Sequence, residues 1–359
     1  MALRDYRMDN LRCVLIVLVV FCHLMVRFAW GPVTGTLYQV IYVFHMPTFV
    51  FVSGYFARWR PAKVVRNLLI PYVQFQLLAV AYNDLLAGRE PLSNFTLLVP
   101  EWTLWYLLAC MLWYATCPLL ERARTQQDRL KVVGIAFVAS ILAGCIPWIG
   151  KTLSLSRVFA FYPFFCAGFY AGKLRASQII SSLSRPQLWQ ARLASLAAVA
   201  VLMALHFAHG AAPAVVLHRS LPYSSAWDFV ARTLLQLAAC AWCALLLVIT
   251  PSQELAVVSE VGRNTMSIYL LHPWVIHLLM LLHLSLLPNE ALQLLFCAVV
   301  TIGTCVRLGT DRVSHMVCWW NRIGMHQPGR TPSGQIPTDG NRRPSQDGIR
   351  WVDKRKRTS

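Results

Sequence analysis

Charge is scarce in this chain, and acid scarcer than base. Only 13% of its 359 residues are Asp, Glu, Lys or Arg, with 15 acidic against 33 basic side chains. A soluble globular domain carries about 25% charged residues, so an ordinary water-facing surface is excluded. No internal repeat is visible. The loops between apolar runs, the longest at 173–191 and 210–228, are too short to hold a soluble domain. No small-x-small cleavage site follows the first apolar run, since Phe28-Ala29-Trp30-Gly31 fits one poorly. That run therefore reads as a retained span and not a secretory signal. His206 and His209 have metal-pair spacing but no carboxylate nearby, which argues against a metal site.

What remains is apolar: 57% of the residues, with a mean hydropathy of +0.51. The apolar residues gather into about ten runs near the length needed to cross a bilayer. They lie at 11–30, 37–56, 67–87, 101–120, 132–149, 157–172, 192–209, 229–250, 264–286 and 290–309. The expected fold is an all-α polytopic membrane bundle over residues 1–320. A basic tail, 321–359, lacks apolar residues to fold around and reads as disordered. Its Lys354–Arg357 cluster suits anionic headgroups on a cytoplasmic face.

A net charge of +18 would suggest nucleic acid in a soluble protein, but its placement argues otherwise. One set of loops holds Arg4, Arg7, Arg58, Arg60, Lys63, Arg66, Arg122, Arg124, Arg129, Lys131, Lys173, Arg175 and Arg185. The opposite set holds only Arg89, Lys151, Arg157 and Arg219. This is the positive-inside bias, and it predicts cytoplasmic termini and membrane lipid as the partner. The 11 cysteines fall mostly within apolar runs, where thiols act as small hydrophobes; Cys240-Ala-Trp-Cys243 reads as structural despite its redox spacing.

Against this background three histidines stand out: His23 in Cys13–Trp30, His45 in Phe44-His45-Met46-Pro47, and His272 in Ile268-Tyr269-Leu270-Leu271-His272-Pro273. An ionisable side chain in mid-membrane is costly and therefore a functional candidate. At 1.5 Å per residue, His23 lies roughly 16 Å along its helix from Arg12, and His45 about 12 Å from the opposite entrance. All three fall in the middle zone of the bilayer. Hydrogen-bonded packing is the competing role for each, and His277 and His283 read as structural or interfacial.

Softer signals surround them. Lys63-x-x-Arg66 opens the third run, where two cations suit phosphate. Trp102, Trp105, Tyr106 and Trp113 fit either an aromatic belt or a stacking platform for a sugar ring. Ser53-Gly54-Tyr55 suits close helix packing. Arg157, before Phe161-Tyr162-Pro163-Phe164-Phe165, could hold an acceptor hydroxyl or carboxylate.

Several of these segments, taken in order, resemble the acyltransferase-3 family of integral membrane acyltransferases, most closely its fucose 4-O-acetylase-like members. They are Asp5-Tyr6-Arg7-Met8-Asp9-Asn10-Leu11-Arg12 with His23; Phe44 to Tyr55; Arg66 to Pro71; Trp102 to Leu107; Arg157 to Gly168; and Ser267 to His272. Arg12 and His23 match the family's arginine–ten residues–histidine motif. Lys63 departs from an Arg-x-x-Arg pattern, keeping the charge but losing the bidentate fork. The resemblance implies about ten spans in the inner (plasma) membrane. It also implies transfer of an acyl group, usually acetyl, from coenzyme A to a carbohydrate hydroxyl without a metal. On that reading His23 is the general base and His45 assists it. Arg12, Lys63 and Arg66 receive acetyl-CoA, with Arg263 as a further contributor. Trp102, Trp105, Arg157 and His272 face the acceptor, a glycan, polysaccharide or lipid-linked sugar. The rival class is a transporter or flippase of a glycan or glycolipid, against which the lack of inverted repeats counts.

Overall fold

The structure is a computed structural model and describes residues 4–29, 31–208, 210, 214–281 and 288–320. Trp30, His209, His283 and the tail 321–359 with its Lys354–Arg357 cluster lie outside the described residues. Among the described residues there is no strand, and each apolar run falls on a helix. Helices are what the composition demands, because backbone N–H and C=O groups in lipid must be satisfied within their own segment.

Seven helices are long and apolar enough to cross a membrane. They are α1 (Tyr6–Phe28), α2 (Pro32–Tyr55), Pro61–Leu86, Thr152–Lys173, Arg185–Ala208, Ala226–Ile249 and Glu290–Leu308. The other three runs form shorter or more polar helices. Trp105–Ala115 starts late and breaks before Pro118, with one further turn at Cys117–Leu120. Gln126–Leu142 carries Asp128, Arg129 and Lys131 in its opening turns, behind a Thr125–Asp128 capping box. Thr265–Leu281 is apolar along its 17 residues.

α1 is the central post. It packs against α2, Ala256–Arg263, Thr265–Leu281 and Glu290–Leu308. Its first turns are tied down by the polar residues around Arg12. Asp5 caps the helix through Met8 N and accepts hydrogen bonds from the Tyr55 and Ser177 hydroxyls. Arg7, buried, donates to the Leu247 and Thr250 carbonyls and to Ser181 Oγ. Those two carbonyls terminate Ala226–Ile249, so Arg7 caps that helix from outside it. Asn10 donates to the carbonyls of Pro251 and Gln253 and accepts from Ser259.

α2 and Leu155–Lys173 cross backbone to backbone. A Cβ on Gly168 would strike the carbonyl of Phe51, one on Gly172 that of Tyr55, and one on Gly54 that of Phe165. Glycine alone permits that approach, so Gly54 serves packing. The constant register of the Phe51–Gly168 and Tyr55–Gly172 contacts means that the two helices run parallel. Arg157, in the first turn of its helix, therefore lies level with Val40.

Candidate active site

Where α1, α2, Trp105–Ala115, Leu155–Lys173 and Thr265–Leu281 meet, they leave a cavity of about 280 Å³. His23, His45, Trp102, Trp105, Arg157 and His272 all line it. The mid-bundle histidines thus converge on one space, together with the aromatic and cationic candidates. Arg12, Lys63 and Arg66 do not line it.

α1 contributes Ile16, Val19, His23, Val26 and Arg27 to the wall. This is a helical stripe at i, i+3 and i+7, and Arg12 occupies the preceding position of the same stripe. Eleven residues at 3.6 per turn bring Arg12 and His23 onto one face, roughly 16 Å apart. Arg12 pairs with Asp9 at 3.7 Å, and its guanidinium covers the Phe56 ring at 4.2 Å. Tyr106, on the cavity wall, lies within electrostatic reach of Arg12. The Tyr106 and Ser53 hydroxyls hydrogen-bond each other. Lys63 is exposed, and Arg66 is half-buried in a wide π-type stretch, Val65–Leu69, with Nε donating to Asn67. Both lie towards the Arg12 end of α2, beyond its C-terminus at Tyr55.

The histidine hydrogen bonds fix which ring nitrogens carry protons. His272 Nδ1 lies 3.0 Å from the carbonyl oxygen of Ile268. A carbonyl can only accept, so Nδ1 of the neutral ring is the donor and Nε2 carries the lone pair. His272 Nε2 is 3.0 Å from His23 Nδ1, with the two rings nearly parallel at 4°. His23 therefore donates from Nδ1, and its Nε2 is the unprotonated nitrogen. The same logic applies to His45, whose Nδ1 donates to the Ile41 carbonyl at 2.8 Å, leaving Nε2 unprotonated. Two cavity imidazoles thus carry a defined lone pair, each suited to accept a proton from a hydroxyl.

Prolines shape the remaining wall. Pro47 has no N–H to give the Val43 carbonyl, and that oxygen lies 3.5 Å from Arg219 Nη2. Arg219 is fully buried, in a left-handed backbone conformation, with its guanidinium 5.0 Å from the Phe161 ring. Arg157 covers the Trp105 ring at 4.8 Å and reaches the His218 carbonyl at 3.4 Å. His218, in the loop helix Ala214–His218, hydrogen-bonds the Tyr38 hydroxyl. Burial, aided by Arg157 and Arg219, holds its pKa down to about 4, so its ring stays neutral at pH 7. Trp102 has a positive φ and stacks on His277 with ring centroids 4.2 Å apart, beside Tyr82 and Trp274. Tyr269 donates to the Thr103 carbonyl at the same wall.

Tyr42, His218, Arg219, Tyr269 and His277 are cavity residues that the sequence did not assign to the site. One signal was present: Leu217-His218-Arg219 puts a cation into loops almost bare of charge. Trp113 is packing, fully buried with its indole donating to Val158 O. His206 pairs with Gln39. All 11 cysteines are free thiols. Among the described residues no group of three or more His, Cys, Asp or Glu is placed to hold a metal.

Bilayer-length helices around an interior of oriented imidazoles define an integral membrane protein with a chemically equipped core. The chain belongs to the acyltransferase-3 family of membrane acyltransferases, whose family model, described as an acyltransferase domain, matches residues 5–309. No curated protein and no solved structure matches it.

Proposed function

We propose that this protein is a membrane O-acyltransferase of the fucose 4-O-acetylase-like type. It moves an acyl group, acetyl foremost, from acyl-CoA to a hydroxyl of a surface or exported carbohydrate. It sits in the inner (plasma) membrane with both termini cytoplasmic. The observation that carries this reading is the unprotonated Nε2 of His23, aimed by His272 within a cavity that also offers Trp102 and Trp105 as stacking faces.

The acceptor hydroxyl gives its proton to His23 Nε2 as its oxygen attacks the thioester carbonyl. The C–S bond then breaks, and the sulfur leaves with that proton as the coenzyme A thiol. His45 Nε2 supplies a second acceptor that orients the hydroxyl. Coenzyme A carries phosphates and does not cross lipid, so Arg12, Lys63 and Arg66 receive it from the cytoplasmic end. The Arg12 stripe then leads its acyl arm towards His23.

The test is acetyl transfer by the full-length protein in nanodiscs, followed by thiol release from acetyl-CoA and by the mass of a carbohydrate acceptor. His23→Ala should cut transfer by about 10²–10⁴-fold in a protein that still folds and inserts. Normal transfer by that variant would remove His23 from the chemistry, and no release by the wild type would favour a transporter.

A further inference from the structure

Among the described residues the cavity is basic: Arg27, Arg157 and Arg219 line it, and no Asp or Glu does. Among the described residues, no ion pair involves Arg157 or Arg219. Arg219 is completely buried, and among the described residues its Nε has no hydrogen-bond partner. Its acceptors among those residues are two long contacts, Leu217 O at 3.4 Å and Val43 O at 3.5 Å. A buried guanidinium without a counter-ion is expensive to keep. Arg232 adds further positive field around it instead of cancelling it. Arg157, on the same cavity wall, stands over the Trp105 ring at 4.8 Å, and its one side-chain hydrogen bond among the described residues is the 3.4 Å contact from Nε to His218 O.

From this we infer that the cavity binds an anionic acceptor, a sugar bearing a carboxylate, with Arg157 and Arg219 taking the carboxylate and the ring resting on Trp102 or Trp105. The position stands apart from the cations assigned to the donor's phosphates. Arg157, in the first turn of its helix, lies level with Val40, while Arg12 stands over Phe56. The two sites are roughly 24 Å apart along α2, with the histidines between them. A carboxylate held at the Arg157 end therefore leaves a neighbouring hydroxyl near His23 and His45. The word acceptor rests on the acyl-transfer reading, but the anion site does not.

Binding is read directly, by tryptophan fluorescence of the full-length protein in nanodiscs. The probes are D-glucuronate, its methyl ester, D-glucose, inorganic phosphate and coenzyme A. D-Glucuronate should saturate, with the uncharged ester and glucose weaker by about tenfold or more, as loss of a charge-assisted pair implies. Arg157→Gln should cost glucuronate a similar factor and leave coenzyme A binding unchanged. Arg157→Lys should recover part of it, which a folding defect would not. Equal affinity for glucuronate and glucose would overturn the inference, as would inorganic phosphate binding as tightly as glucuronate. So would loss of coenzyme A binding in Arg157→Gln, which would assign the anion to the donor. If glucuronate binds as expected but no acyl transfer occurs, the acyltransferase reading fails and the anion site stands. If transfer proceeds equally to charged and neutral sugars, the reverse holds.

Discussion

Replacing His272 with phenylalanine keeps a flat ring in place but removes the acceptor for His23 Nδ1–H, which now meets Nε2 at 3.0 Å. On the proposed mechanism His23 serves as a base only when its proton sits on Nδ1, and the His272 hydrogen bond is what holds it there. With no partner, a buried N–H is left unsatisfied at a cost of about 1–3 kcal/mol. The ring escapes that cost by moving its proton to Nε2 or by turning away, and either change withdraws the lone pair from the hydroxyl. If that energy is lost from the competent state, kcat falls by about 5- to 150-fold. Loss of the imidazole itself in His23→Ala should cost more, about 10²–10⁴-fold. The apparent KM for acetyl-CoA should move little, because nothing at the Arg12 end has changed.

The assay is thiol release against acetyl-CoA concentration, run beside thermal unfolding of each variant in nanodiscs. His272→Gln is the discriminating partner, because a side-chain carbonyl oxygen can still accept from Nδ1–H and should recover part of the rate. A His272→Phe protein that folds and turns over within twofold of the wild type would refute the tautomer argument. A loss identical in the Phe and Gln variants would mean that His272 serves packing or substrate contact instead.

The remaining predictions test the frame and the donor end. Gly168→Val puts a side chain against the Phe51 carbonyl and should destabilise the bundle by about 1–3 kcal/mol or block its assembly, read as lowered thermal stability; unchanged stability would mean that the helix crossing can relax. Arg12→Gln or Arg66→Gln should raise the apparent KM for acetyl-CoA by about tenfold while leaving that for the acceptor alone, with Arg66→Lys intermediate; an effect confined to the acceptor would move these cations off the donor path. A cysteine at Ala62, in a protein stripped of its native thiols, should react with an impermeant maleimide only after the cells are permeabilised; labelling of intact cells would invert the topology and with it the cytoplasmic donor site.

The bilayer-length helices were legible because each holds a contiguous apolar run, a one-dimensional signal. The convergence of His23, His45 and His272 was legible through depth, since rise per residue converts position into height within a bilayer. Arg219 and His218 were not. They line the cavity from the helix Ala214–His218 and the residue after it, a tertiary placement with no periodicity of its own. The tautomer chain was hidden for a related reason: it depends on which carbonyls lie opposite His23, His45 and His272, and sequence carries no ring orientation. The conformation of Trp102 was equally invisible, since nothing in Glu101-Trp102-Thr103 marks a left-handed residue. The cluster Asp5 to Arg12 carried a clear signal with a mixed meaning. Asp5, Arg7 and Asn10 are engaged in tethering, and Arg12 is the member that continues the cavity stripe.

That division explains why tethers and stripe share one helix. A lone pair on His23 is useful only if α1 is held at a fixed rotation about its axis, because a turn of one residue, about 100°, would point His23 away from the cavity. Apolar contacts alone set rotation weakly in a bundle surrounded by lipid, where one hydrophobic face is nearly as good as another. Directional bonds set it firmly. Asp5 to Tyr55 and Ser177, Arg7 to the end of Ala226–Ile249, and Asn10 to the 251–253 backbone hold the first turns from three directions. His23 to His272 holds the same helix higher up. Between these two fixed levels Ile16, Val19 and His23 are held on the cavity wall, with Arg12 one step below them on the same stripe. The ten-residue gap between arginine and histidine is thus a statement about angle as much as distance: it is the spacing that closes three helical turns and returns to the same face.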